Sequence, residues 1–159
     1  MSENVIQDSA QLMAMLRSHV ERALQQIWEQ PELQVDHDGD YPFRYGTAAC
    51  WVSVVEVPEP IVRVFAHAAR EVPKSAKMLT ELNELNGRSI RAKVSWGHGL
   101  VVADIALHWT EVTRGSLDRA LRSVAAIADD AGAMIATVFG GTTPFPVELD
   151  SIDHDEEAA

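Results

Sequence analysis

Apolar residues recur every three or four positions from Leu12 through Leu16, Val20, Ala23, Leu24 and Ile27 to Trp28, the period of a helix with one buried face. The spacing predicts a first helix over about Asp8 to Gln30, capped by Asp8 or Ser9 and stopped by Pro31, since the residue before a proline is pushed out of helical backbone. The period then shortens to two. Leu33 to His37 reads as a short strand, Asp38, Gly39 and Asp40 as a turn, and Tyr41 to Tyr45 as a strand in which Pro42 suits an edge.

Two longer runs rich in β-branched residues, Ala48 to Val57 and Ile61 to Ala68, flank Pro58, Glu59 and Pro60 and predict a hairpin. Both faces of it carry apolar groups. With Val57 opposite Pro60, Cys50 falls opposite His67, and Val52, Val54, Ile61 and Phe65 share a face with Glu56 and Arg63. A strand apolar on both sides is usually covered on both sides, by helices, a second subunit or a ligand.

Lys74 to Asn86 fits a helix whose stripe is Met78, Leu79, Leu82 and Leu85, with Gly87 as its stop. Alternation returns from Ile90 to Trp96 and again from Val101 to Leu107, joined by His98 and Gly99. A two-residue turn there sets Trp96 against Val101, Val94 against Ala103, Ala92 against Ile105, Ile90 against Leu107, and Lys93 against Asp104 on the other face. A slip of one residue would turn the whole apolar set to water, so pattern and turn specify one register. Ser116 can cap a last helix to about Phe139, with Leu117, Leu121, Val124, Ile127, Ala128, Ala131, Ile135 and Val138 as its stripe and Gly140 and Gly141 as its end.

With the short Leu33 to His37 stretch left out of the count, the predicted order is helix, three strands, helix, two strands, helix. It indicates an α+β domain with an antiparallel five-stranded sheet and the first and last helices on one face. The domain is expected over residues 1–146, with 147–159 as an acidic disordered tail.

Composition narrows the function classes. The 159 residues carry a formal charge of −11, which argues against a protein that neutralises phosphate backbones, so no nucleic acid is expected as a partner. Six acidic residues fall at Glu148, Asp150, Asp153, Asp155, Glu156 and Glu157; without them 13 cations face 18 anions, a charge of −5. No apolar run approaches the roughly 20 residues of a membrane helix, so no membrane role is expected. Met1 to Ser9 has neither the basic start nor the apolar block of a signal peptide. Cys50 is the sole cysteine, which excludes an internal disulfide and fits a cytoplasmic, reducing setting.

Candidate chemistry is sparse. Cys50 and His67 form the best nucleophile and base available, although a strand cysteine is usually a small buried hydrophobe. Asp36, Asp38 and Asp40 resemble half a calcium loop, but the twelfth position holds Thr47 where a bidentate Glu is needed. His19, His37, His67, His98, His108 and His154 lack metal-ligand spacing. No metal and no catalytic residue is therefore assigned. Gly97, His98 and Gly99 join strands and do not open a helix, so they read as a turn and not as a phosphate cradle.

Several motifs carry a resemblance: D-Y-P-F-R-Y-G from Asp40 to Gly46 running into an apolar strand, L-T-E-L-N-E-L-N from Leu79 to Asn86, the W-G-H-G-L-V-V hairpin, and the closing Phe139, Gly140 and Gly141. Together they resemble the YbjN-like proteins, and more narrowly the bacterial branch grouped with type III secretion chaperones as peptide-binding chaperones. The likeness runs from the first helix to Gly141. It implies a type III secretion chaperone-like fold, commonly dimeric, that binds an extended segment of a partner protein without a cofactor.

From these readings the face with Val52, Val54, Ile61 and Phe65 is expected to bind peptide, and Met78, Leu79, Leu82 and Leu85 to form a homodimer interface. The competing expectation is a small enzyme or ligand binder with a pocket near Cys50 and His67.

Overall fold

The computed structural model describes residues 2–148, with side chains from residue 7 onward; residues 149–159, most of the expected tail, lie outside the described residues. Three helices, α1 (Ser2–Trp28), α2 (Ala76–Arg88) and α3 (Arg114–Phe139), accompany five strands, β1 (Tyr41–Tyr45), β2 (Ala48–Glu56), β3 (Pro60–Ala69), β4 (Lys93–Gly97) and β5 (Leu100–His108). The strands form one antiparallel sheet in the order β1-β2-β3-β5-β4. The α+β architecture and the element order are those the periodicities predict.

One face of the sheet meets the helices. Val52, Val54, Val62, Val64, Val94, Val101 and Ala103 point into a core completed by Leu16, Val20 and Leu24 of α1 and Leu117, Val124, Ala128 and Ile135 of α3. α3 lies directly on β3: a Cβ placed on Gly132 would stand 2.1 Å from the Ala68 carbonyl oxygen. Only glycine permits that approach. Tyr41 enters the same core from β1, and its hydroxyl donates to Glu21 of α1 at 2.6 Å. Burial, aided by that bond, pushes its pKa up to about 12. Phe43 packs on Trp28 with ring centroids 5.4 Å apart. Alternate residues of the Tyr41 to Tyr45 motif thus fasten the edge strand to α1.

Several boundaries differ from expectation. α1 begins at Ser2, so Asp8 and Ser9 lie inside it. Leu33 to His37 forms no strand; Asp36 Oδ1 accepts from the Asp38 and Asp40 amides, both at 3.0 Å, and organises an acidic turn. α2 runs through Gly87 and ends at a Ser89 cap. Thr113 caps α3, and Ser116 is its capping-box partner. The β4–β5 register is as predicted at Lys93↔Asp104, Val94↔Ala103 and Trp96↔Val101, with His98 and Gly99 both at positive φ. β4 nevertheless starts at Lys93, and Ile90 stands 98% exposed.

The β2–β3 pairing is the consequential difference. Glu56, not Val57, lies opposite Pro60, so Val52 meets Val64, Val54 meets Val62, Trp51 meets Phe65 and Ala49 meets His67. The connection holds Val57, Pro58 and Glu59, three residues where two were expected, and closes with the Val57 amide donating to the Glu59 carbonyl. A one-residue shift exchanges faces.

Candidate functional site

That shift divides the expected peptide-binding set. Val52 and Val54 are 0% and 5% exposed beneath the helices, whereas Ile61 and Phe65 lie on the opposite face with Trp51, Val55, Arg63 and His67. The assignment of Val52 and Val54 to a binding surface is therefore corrected: they are core. Trp51, missed by the sequence reading because it was placed on the other side, is the centre of the uncovered face.

Helices α1, α2 and α3 all pack toward the valine-rich side, and among the described residues the other side is shielded only by its own side chains. Trp51 stacks on Phe65 with centroids 5.3 Å apart and planes 16° from parallel, and touches His67 at 4.7 Å. Arg63 lies over Phe65 at 4.8 Å and donates through Nε to Asp104 Oδ2 at 3.1 Å. Arg70 Nη2 meets His67 Nδ1 at 3.3 Å. Burial, and secondarily the Arg70 charge, lowers the His67 pKa, so a neutral imidazole suits this place.

The face is also basic. Arg44 of β1, Arg63 of β3, Lys93 of β4 and Arg70 just after β3 stand on it, and among the described residues Asp104 pairs with Arg63 at 3.1 Å and Glu148 with Arg44 at 3.3 Å. In a chain of net charge −11 this is an inverted local balance. An apolar, aromatic middle with polar cations around it has the make-up of a protein-binding surface.

The two sheet edges differ. At the β4 edge Asn86 of α2 donates through Nδ2 to the Val94 carbonyl at 2.8 Å and accepts the Val94 amide at 2.7 Å. Its carboxamide replaces a neighbouring strand and closes the edge. At the β1 edge no strand follows among the described residues, and Pro42, which lacks an N–H, occupies it. Inside that edge a groove of about 820 Å³ runs between the end of α1, β1 and α3, lined by Trp28, Phe43, Tyr45, Leu121 and Arg122 among others.

The alternative catalytic pair does not assemble. Cys50 lies opposite Ala66 on the buried face and His67 lies on the open one. Burial pushes the Cys50 thiol up to about 12, away from the thiolate a nucleophile needs. Among the described residues, no group of three His, Cys, Asp or Glu side chains could hold a metal ion, and no helix is long and apolar enough to cross a membrane.

The expected dimer stripe is also divided. Met78 and Leu82 are buried within the protomer, where they belong to the core, Leu85 is half-buried and Leu79 is 37% exposed. Met78 and Leu82 are corrected to core residues. Leu85 lines a second cleft with Ile90, Ala126 and Ile127.

Among the described residues, an antiparallel sheet backed by helices on one side and bare on the other defines a small α+β fold. The chain belongs to the family described as T3SS (YopN, CesT) and YbjN peptide-binding chaperone 1, TY-Chap1, whose model matches residues 14–147. Solved structures share the fold, among them the following two. The chain is similar to one in the crystal structure of the ExsC-ExsE complex, with a TM-score of 0.60 and 13% identity over 74% of this chain and 94% of that one. It is similar also to one in the structure of the HopA1-SchA chaperone-effector complex, with a TM-score of 0.59 and 11% identity over 74% of this chain and 92% of that one. A comparison with curated proteins gives no match.

Proposed function

We propose that this protein is a non-enzymatic, chaperone-type module that holds an extended, largely apolar segment of a partner protein against the open face of its sheet. The observation that carries this reading is the uncovered ledge of Trp51, Phe65, Val55 and Ile61, with cations beside it, on a sheet whose β1 edge has no neighbour among the described residues. A strand added at such an edge gains main-chain hydrogen bonds, and its alternate side chains reach the adjoining face. Membership in a peptide-binding chaperone family and likeness to a chain in a structure described as a chaperone-effector complex support it. The sole, buried cysteine suits the cytoplasm.

The test places a photoreactive residue at position 65 of the full chain. A partner segment crosslinked there, and lost when Trp51 is replaced by Ser, supports the reading. Crosslinks that persist in Trp51→Ser, or that form only at the Trp28–Phe43 groove, would move the site there.

The same reading takes the protein as a homodimer. Leu79, Leu85 and Ile90 are the apolar groups near α2 that the protomer leaves wholly or partly uncovered, and such groups suit a self-complementary contact. Leu79→Arg with Ile90→Arg should yield monomers by sedimentation at an unchanged melting midpoint, because neither side chain belongs to the buried core. A wild type that sediments as a monomer at micromolar concentration contradicts the dimer.

A further inference from the structure

β5 outruns β4. Its residues Ile105, Ala106, Leu107 and His108 pair with β3 at Val64, Arg63, Val62 and Ile61, but β4 stops at the Lys93↔Asp104 pair, so this half of β5 is a sheet edge. The Val94 amide and carbonyl point outward to Asn86, which fixes the alternation: Lys93 faces β5, and the Asp104 and Ala106 backbone faces the β4 side. Among the described residues no strand meets Ala106 there. Against this half-edge lies a cavity of about 250 Å³, lined by Arg91, Ile105, Leu107 and Ala120 among others. The residues just before β4 carry its own alternation, and continuing the observed register sets Ala92 against Ile105, Arg91 against Ala106 and Ile90 against Leu107. Ile90, 98% exposed, is therefore in phase with a half-buried Leu107 that it does not cover.

We infer that β4 is an extensible strand governed by Asn86: clamped by that carboxamide it begins at Lys93, and released it zips back to Ile90 along β5, seating Ile90 in the cavity on Leu107 and leaving its outer edge unpaired. Chain length makes the two states exclusive. A strand from Val94 back to Ile90 covers about 14 Å, and the four links from Asn86 to Ile90 reach about 14 Å only when fully extended. Asn86 stands to the side of Val94, and α2 is helical to Arg88, so the path exceeds that reach and the carboxamide must let go. What Val94 loses on the outside, Arg91 and Ala106 gain on the inside, and Ile90 leaves water. In the extended form the Ile90, Ala92, Val94 and Trp96 backbone points outward, so Asn86 decides whether this edge is closed or can take an added strand. The inference concerns the edge opposite β1 and does not rest on the open face being the binding surface.

A disulfide trap tests it in the full chain with Cys50→Ala, Ile90→Cys and Leu107→Cys. Positions 90 and 107 continue the non-hydrogen-bonded register of Val94 and Ala103, the closer kind of pair, and can bridge once β4 is extended. Adding Asn86→Ala should speed the bridge about tenfold. In the oxidised chain with Asn86 kept, the Arg91 and Ala106 amides should gain protection from hydrogen exchange while the Val94 amide loses it, and reduction should reverse both changes. The absence of a bridge, equal bridging rates with and without Asn86, or an oxidised chain whose Val94 amide stays protected overturns the inference. The exchange readout needs no Asn86 variant, so it decides the matter even if Asn86→Ala does not fold. The crosslink from position 65 judges the peptide-binding reading separately, so a chain that captures partners there but never extends β4 loses this inference alone.

Discussion

β2 and β3 present two apolar faces built from adjacent residues, yet the two faces do opposite work. Val52, Val54, Val62 and Val64 are small, β-branched and buried to 5% exposure or less beneath helices, while Trp51, Val55, Ile61 and Phe65 stay half-buried with Arg63 and His67 among them. Uniform valine tiles a flat surface against α3. Aromatic rings beside cations instead cover one another and leave polar tips available to something else. What separates core from candidate site is therefore the mixture of side chains on a face, not how apolar it is.

The contrast is sharpest where α3 touches the sheet. Gly132→Leu should be the most damaging substitution, because its Cβ alone would meet the Ala68 carbonyl oxygen at 2.1 Å and the helix would have to lift off β3. A loss of more than about 4 kcal/mol is expected, enough to unfold most of the population, and chemical denaturation will measure it. No single substitution on the open face should approach that. If one does, that face is part of a core and the comparison fails.

Neighbouring positions 64 and 65 give a paired test. Val64→Ala empties a fully buried site and should cost about 2 kcal/mol, leaving partner capture intact once the protein is folded. Phe65→Ala should cost about 1 kcal/mol, since its stack on Trp51 is half-exposed, and should abolish capture. The reverse pattern would show that the faces have been exchanged.

Legibility in the sequence followed the same division. The β4–β5 hairpin has one apolar face, so only one register buried it, and Lys93, Val94 and Trp96 lie where alternation put them. β2 and β3 are apolar on both faces, so a slipped register buries as much as the true one, and the connection decided the outcome with one residue more than expected. Val52 and Val54 were consequently misassigned, and Trp51 was overlooked. Ile90 continued an alternation that the end of α2 at Arg88 interrupts, a tertiary event that periodicity does not record. Asn86 lay in plain view within L-T-E-L-N-E-L-N, yet its pairing with Val94 could be read only once α2 stood beside β4. The catalytic alternative fell with the register, because Cys50 and His67 face opposite ways.

The edges offer a milder break. Asn86→Ala leaves the Val94 amide and carbonyl without their partner, so a loss of about 1–3 kcal/mol is expected. The reopened edge should also raise concentration-dependent self-association, measurable by light scattering. If stability falls and association does not rise, α2 shields the edge by bulk and the carboxamide is not what closes it.

Alkaline pH should act on the buried face. Cys50 and Tyr41 ionise ordinarily at 9.0 and 10.0 but at about 12 when folded. Between those values the unfolded chain releases protons that the folded chain keeps, so stability is retained below about pH 9 and declines above it. Cys50→Ala should remove part of that decline.

The smallest effect belongs to the open face, and its sign is opposite in pH. His67 is lowered from its ordinary 6.5, first by burial and then by Arg70. Below pH 6.5 the unfolded imidazole binds a proton that the folded one resists, so stability is full above that pH, falls as pH drops through the window and levels off below the folded value. Arg70 is the charge in contact, Arg44 lies across Ala49 on the same row, and Asp104 faces Phe65 one row away. Protonated His67 would thus add a cation to a basic corner. A bound acidic segment should then tighten in the same window in which the free protein weakens. Measuring both trends for wild type and His67→Gln separates them: the variant should flatten the stability slope and the binding slope together. If only the stability slope flattens, His67 is a packing residue of the ledge and does not face the ligand.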